Sequence, residues 1–277
     1  MAIITLTTDF GEKDHFVGAI KGSIYSELED VKIVDISHSV SPFNVLEAAY
    51  IIQNAYKSFP KGSIHLIGID SELNPDNKHI AVNLDEHYFI CANNGIMSMI
   101  CNEIAAEKIV EINIHDKIET NFPVLDVFVK VACHIARGGT LEVVGKVISN
   151  IKPIKNMIPF INDEQSQIIG NVIYIDNYGN VVTNIRRKFF EQIQKGRSFE
   201  ISARSYKFKD IYKKYSDIVN FEVPEEDRQD EGRGLVVFNS SDYLEIAIYK
   251  SDLATVGSAS SLMGLQMRDT VTINFAK

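Results

Sequence analysis

Hydrophobic and polar positions alternate along this chain with two different periods. In the first half, Ile3 to Thr8 is an apolar run closed by Asp9-Phe10-Gly11, which predicts a buried strand. Phe16, Val17, Ile20, Ile24 and Leu28 then recur at helical spacing. Lys32 to Ile36 predicts a second strand, Val45 to Ala55 an apolar helix and Ser63 to Ile69 a third strand. His79 to Leu84 and Tyr88 to Ala92 predict neighbouring strands joined by a polar turn at Asp85-Glu86. Lys108 to Ile112 predicts a further strand, and Val124 to Ala136 a helix stopped by Gly138-Gly139. Alternation of strand and helix on this scale implies an α/β domain with a mostly parallel sheet covered on both faces.

The pattern changes between Asn150 and Gln167, where Pro153, Pro159 and a polar run interrupt it. A domain boundary is expected there, with an N-terminal domain over 1–160 and a smaller one over 168–277. Short strand candidates dominate the second: Ile168 to Ile175, Val181 to Ile185, Ser198 to Ile201, Leu235 to Phe238, Tyr243 to Tyr249 and Thr270 to Phe275. Turn-forming residues at Asp176 to Gly179 and Asn239 to Asp242 separate them, so a mainly antiparallel β-barrel is predicted. Pro224 to Gly234 reads as a charged, solvated loop. No internal repeat is present.

Composition narrows the function classes. The chain has 277 residues, 45% hydrophobic and 23% charged, enough for a sizeable core. Its 28 Lys+Arg against 37 Asp+Glu give a net charge of −9, which argues against a phosphate-backbone binder. No apolar run approaches the roughly 18 to 20 residues of a membrane span. The start, Met1 to Leu6, lacks the basic flank and cleavage site of a signal peptide. Cys91, Cys101 and Cys133 sit beside apolar residues without metal spacing and read as reduced core thiols. A cytoplasmic protein with no nucleic-acid or membrane partner is expected.

Generic catalytic motifs are missing: there is no G-x-G-x-x-G, no G-x-x-x-x-G-K, no H-E-x-x-H and no G-x-S-x-G. Asp9-Phe10-Gly11 matches a kinase tripeptide without the other kinase signatures. Seven histidines are scattered, so no metal is expected. What remains are polar residues at strand carboxyl ends, where parallel sheets bind ligands. Asp9 ends the first strand, Asp35 to His38 the second, Asp70 the third, and Asn93-Asn94-Gly95 a later one. Each singly is a good cap or turn former; four on one rim point to a pocket.

Six ordered blocks carry a resemblance. TLTTDFGEKDHFVGAIKG (5–22), KIVDISHSVSPFNVLEAAYII (32–52), FPKGSIHLIGID (59–70), NNG (93–95), YIDNYGNVVTNI (174–185) and NSSDYLEIAIY (239–249) resemble the S-adenosylmethionine hydroxide adenosyltransferase family, which includes fluorinase and chlorinase. The resemblance implies an α/β N-terminal and a β-barrel C-terminal domain, a homotrimer with intersubunit sites, and S-adenosylmethionine as substrate or ligand with no separate cofactor. It implies attack on ribose C5′ in line with the sulfonium, expelling methionine. Carried over by position, Asp9 would bind the ribose hydroxyls. Asp14 and Asp176 would lie near the methionine ammonium, and Phe43 would pack on the ligand. Asn94 would line the pocket, Asn180 would bond the adenine side and Ser240 the methionine carboxylate.

The departures fall on the reacting end. Water-using members carry D-P-G-V-G-x-x-R and T-F-H-G-R-D segments, which supply an Asp–Arg–His set. Here Asp70 is kept, Asn77 stands at the arginine position and Pro123 at the histidine position. Lys78 and His79 lie just past Asn77 and are the candidates to substitute. Val124 replaces a serine of the halide pocket, which disfavours halide, and Tyr249 to Asp252 replaces the usual N-x-G-S. Two readings follow. One is a hydrolase forming adenosine and methionine, with Asp70 as the catalytic residue orienting or deprotonating water. The other is a binding protein or sensor for S-adenosylmethionine or adenosine.

Overall fold

The computed structural model describes residues 1–101, 104–114, 120–154, 158–228 and 232–276. The chain forms two compact units, residues 1–155 and 156–277.

In the first unit the elements follow in the order β1 (Ala2–Thr8), α1 (Phe16–Glu27), β2 (Val31–Ser37), α2 (Val45–Ala55), β3 (Ile64–Gly68), β4 (His79–Leu84), β5 (His87–Ala92), α3 (Ile96–Ile100), β6 (Lys108–Ile112), α4 (Val129–Ala136) and β7 (Gly145–Val147). The sheet order is β2-β1-β3-β5-β4-β6-β7. Pairs β2·β1, β1·β3 and β3·β5 are parallel, whereas β5·β4, β4·β6 and β6·β7 are antiparallel. Strands β1, β2, β3, β5 and β6 therefore point one way and β4 and β7 the other. The sheet is mixed, with parallel strands in the majority. The Asp85-Glu86 turn explains the reversal. Both residues have positive φ (53° and 61°), the backbone of a two-residue hairpin whose twist suits antiparallel strands.

Strand side chains alternate between two faces, and each face has its own core. Ile4, Leu6, Leu66 and Ile90 pack with Ile20 and Ile24 of α1 and with the Val129–Ile135 side of α4. Ile67, Ile80, Val82, Phe89 and Cys91 pack with Ala48, Ala49 and Ile52 of α2 and with Ile96 and Met97 of α3. Asn44 caps α2: its side-chain oxygen accepts the Glu47 N–H at 3.2 Å, and its amide donates to Glu47 Oε2 at 2.9 Å. That cap holds the Ser41-Pro42-Phe43 loop at the sheet rim. Pro123 immediately precedes a π-helical turn, Val124–Phe128, that runs on into α4. A helix start is where the missing proline N–H is tolerated.

In the second unit the order is β8 (Phe160–Ile161), β9 (Gln167–Ile175), β10 (Val181–Arg186), α5 (Arg187–Gln194), β11 (Phe199–Ala203), β12 (Tyr206–Phe208), β13 (Gly234–Phe238), β14 (Tyr243–Ile248), α6 (Ala259–Leu262) and β15 (Thr270–Phe275). One antiparallel sheet runs β12-β11-β15-β9-β10-β14-β13, with β8 beside β9. The segment after β12 then reaches the opposite edge. Tyr212 bridges to β13, donating its N–H to Val236 O at 2.8 Å. The sheet is thus barrel-like and nearly closed around a core that includes Ile168, Val181, Ile201, Val236, Leu244, Ile246 and Ile273. Residues 229–231 of the charged Pro224–Gly234 segment lie outside the described residues.

Among the described residues no helix is long and apolar enough to cross a membrane. The three cysteines are free. Cys91 and Cys133 are buried and Cys101 is half-buried, and burial pushes all three thiols above their ordinary pKa.

Candidate functional site

Because β2, β1, β3 and β5 are parallel neighbours, their carboxyl ends share one rim. A cavity of about 660 Å³ opens there. Asp9, Phe10, Phe16, Pro42, Phe43, Asp70, Ser71, Glu72, Leu73, His79, residues 120–123 and Val127 line it. The volume suits a small molecule.

Three carboxylates, Asp9, Asp70 and Glu72, and an aromatic wall define its character. Asp9 Oδ2 accepts the backbone N–H of Phe43 at 2.8 Å. Phe43 has a φ of 61° and is 73% exposed. Burial raises the Asp9 pKa, the Phe43 and Asp9 backbone N–H groups oppose the rise, and the negative charge of Asp70 adds to it. Asp9 therefore senses the charge of Asp70 across the cavity. Phe10, Phe16 and Phe122 meet with ring centroids 5.7, 5.6 and 5.3 Å apart, forming an apolar side to the site. Below them Gly68 has no room for a side chain: an added Cβ would meet Phe10, Thr8 and Val124 atoms, each at 3.2 Å. Thr120 donates to Asp126 and accepts the Phe122 N–H at 2.8 Å, which orders the segment that carries Phe122 and Pro123.

Asp70 adopts a positive φ of 43°, rare for a residue with a side chain. Its loop is closed from below. Asn77 Nδ2 donates to Asp70 O at 2.7 Å and to Glu72 O at 3.1 Å, and His79 Nε2 lies 2.9 Å from Ser71 O. Asn77, which the sequence resemblance sets at an arginine position, thus contacts backbone carbonyls. Lys78 is exposed, while His79 is buried and lines the cavity.

The remaining predicted residues fall elsewhere. Asp14 is exposed ahead of α1 and is absent from the cavity lining. Asn94 also lies off the lining; its amide donates to Ile69 O at 2.9 Å, and its oxygen accepts the Ile96 N–H at 3.2 Å. It is a strut behind Asp70. Asp35 pairs with Lys21 at 2.5 Å and with His38 at 3.0 Å, so the β2 end of the rim is occupied internally.

In the second unit Asp176 and Asn180 share one turn. Asp176 Oδ1 accepts the N–H groups of Tyr178 and Asn180 at 2.9 and 2.8 Å, and Oδ2 accepts Asn180 Nδ2 at 3.0 Å. Asn180 Oδ1 is buried with no hydrogen-bond partner among the described residues. Ser240 is exposed in the β13–β14 turn. Sequence reasoning missed Glu245 beside that turn. It is 3% exposed and accepts from Tyr215 Oη at 2.7 Å and Asn239 Nδ2 at 3.0 Å, with its pKa raised chiefly by burial. A glutamate inside an otherwise apolar strand, LEIAI, is the signal that marks it. The Phe10–Phe16–Phe122 wall has no periodic signal, since its third ring comes from a distant segment.

Comparison with known proteins follows the same two halves. A family model described as SAM hydroxide adenosyltransferase N-terminal domain matches residues 4–145, and one described as the corresponding C-terminal domain matches residues 170–272. An (R)-S-adenosyl-L-methionine hydrolase of Methanocaldococcus jannaschii is 28% identical, covering 98% of this chain and 95% of that protein. A fluorinase of Actinopolyspora mzabensis is 24% identical over 91% of this chain and 92% of its own. Among solved structures, an uncharacterized conserved protein from Thermotoga maritima superposes with a TM-score of 0.81 at 28% identity, covering 98% of this chain and 99% of that one.

Proposed function

The chain belongs to the SAM hydroxide adenosyltransferase family, and from that premise we propose that it hydrolyses S-adenosylmethionine to adenosine and methionine at the rim cavity. The observation that carries this reading is that Asp9 and Asp70, from the ends of adjacent parallel strands, line one cavity with a phenylalanine wall. Water oxygen bonds to ribose C5′ as the C5′–S bond breaks. The bonding pair goes to sulfur, and methionine leaves as a neutral thioether. The water proton passes to Asp70 or to solvent. Asp70 aims the water, Asp9 accepts from the ribose hydroxyls and Phe43 covers the ligand. The apolar side lowers local polarity and favours collapse of the sulfonium charge.

A cytoplasmic homotrimer is part of the proposal, with Asp176, Asn180 and Ser240 of a neighbouring copy completing the contacts. Asp14 takes the methionine end and Asn94 supports the pocket. The free thiols, two of them buried, fit a reducing compartment. Incubating the pure protein with S-adenosylmethionine, followed by chromatography, tests the activity: adenosine and methionine should appear in equal amounts.

A second reading, ligand binding without turnover, is favoured by Asn77 and Pro123. One contacts backbone carbonyls and the other precedes a helix, so neither is a charged partner for water. Tight binding of S-adenosylmethionine with no adenosine formed would establish that reading instead.

A further inference from the structure

We propose that Asn77 and His79 are positioning residues, which clasp the backbone of residues 70–72 and so hold the Asp70 carboxylate at the reacting end of the cavity. The inference rests on the hydrolase reading and deepens it. Four successive carbonyls carry it. Ile69 O accepts from Asn94 Nδ2 at 2.9 Å, Asp70 O from Asn77 Nδ2 at 2.7 Å, Ser71 O from His79 Nε2 at 2.9 Å and Glu72 O again from Asn77 Nδ2 at 3.1 Å. Side chains from three separate positions thus satisfy a stretch of backbone that has left β3 and its ladder.

The donors are themselves fixed. Asn77 is 6% exposed, and its main chain closes on Asn74 through reciprocal hydrogen bonds of 3.3 and 3.2 Å. His79 begins β4, is fully buried and sets its ring edge-on to Phe128 at 4.8 Å. A carbonyl only accepts, so His79 Nε2 carries the proton of this hydrogen bond. An aspartate carries its carboxylate on one methylene, so the backbone angles decide where the oxygens point. Asp70 holds a left-handed backbone, φ 43°, which residues with a Cβ adopt less readily than glycine. The clasp imposes it. Where the family pattern has an arginine to act by charge, this chain has a neutral amide that acts on the geometry of the retained aspartate.

Steady-state adenosine formation by wild type, Asn77→Ala, His79→Leu and His79→Gln tests this. A displaced base should slow the chemical step while leaving the substrate grip intact. Asn77→Ala and His79→Leu are expected to lower kcat about 10- to 100-fold with KM changed by less than about threefold. His79→Gln, whose amide N–H reaches the same carbonyl, should recover about tenfold of the His79→Leu loss, a rescue that general destabilisation would not give. If wild type is active and folded clasp variants keep its kcat, the clasp is overturned and the hydrolase reading stands. If wild type forms no adenosine, the hydrolase reading falls and takes this inference with it. Where Asn77→Ala does not fold, the His79→Leu and His79→Gln pair decides alone.

Discussion

The Asp9 carboxylate accepts the Phe43 N–H at 2.8 Å, so the acid that ends β1 is held by the loop that leads into α2. Oδ2 takes that N–H, and on the proposed function the carboxylate also accepts from the ribose hydroxyls. Asp9→Ala removes the anchor of the Phe43 loop and, on the proposed function, a ligand acceptor. Adenosine affinity should fall by about 1–3 kcal/mol, the range for losing a hydrogen bond to a charged group. Titration calorimetry checks it; full affinity in a folded variant would make Asp9 a strand-end cap only.

Asp70 is expected to matter for turnover and little for binding. Asp70→Asn keeps the shape but removes the charge that orients water or takes its proton. Adenosine formation should drop at least about 100-fold, the scale of general-base loss, with S-adenosylmethionine affinity changed by less than about twofold. Single-turnover measurements separate the two effects. Equal rates in wild type and variant would remove Asp70 from the chemistry.

Much of this architecture is legible in the residue pattern, and the exceptions have physical reasons. The helix over Val45–Ala55 begins and ends where its pattern predicts, because Asn44 and Glu47 form a local cap. The Asp85-Glu86 turn correctly marks β4 and β5 as neighbours. The parallel share is smaller than strand–helix alternation suggests, because β4 inserts between β5 and β6 and turns the far half of the sheet antiparallel. The short elements α3, β7, β8, β12 and α6 carry too few residues to show a period. Helix α5 does carry one, in Phe190 and Ile193, but charged residues surround it. At the site, Asp9 and Asp70 are readable as strand-end acids. The role of Asn77 is not, because a side chain that bonds main-chain carbonyls leaves no motif.

The Asp176–Asn180 turn depends on a glycine. Gly179 has a φ of 75°, and an added Cβ would lie 2.2 Å from Ser258 Oγ and 2.4 Å from its Cβ. Ser258 caps α6, so it has little freedom to withdraw. Gly179→Ala combines an unfavourable backbone with overpacking and should destabilise the fold by about 1–3 kcal/mol in urea unfolding. A neutral result would mean that the turn relaxes without cost.

The pH dependence of stability should follow His65. Its Nδ1 lies 2.7 Å from Thr5 Oγ1 and its Nε2 3.1 Å from His87 Nδ1, with the ring stacked on Phe89 at 4.8 Å. Burial pushes its pKa down from 6.5 to about 3, and the His87 charge adds to the shift. Tyr56 and Phe59 close the site with their ring faces and edges, while Asp85, Glu86 and Lys61 act on His87 from the surface side. The folded state therefore keeps His65 neutral where the unfolded chain already binds a proton. Above pH 6.5 both states hold it neutral and stability is unaffected; as pH falls from 6.5 towards 3 only the unfolded chain binds the proton and stability drops, and below 3 the loss is complete. The slope for one such group is about 1.4 kcal/mol per pH unit. His65→Gln stays uncharged and can still hydrogen-bond Thr5, so the difference in unfolding free energy between variant and wild type should shift in the variant's favour as pH drops. Urea unfolding at pH 7.5, 6, 5 and 4 measures that difference. If it is the same at all four values, the low-pH loss of stability belongs to other groups.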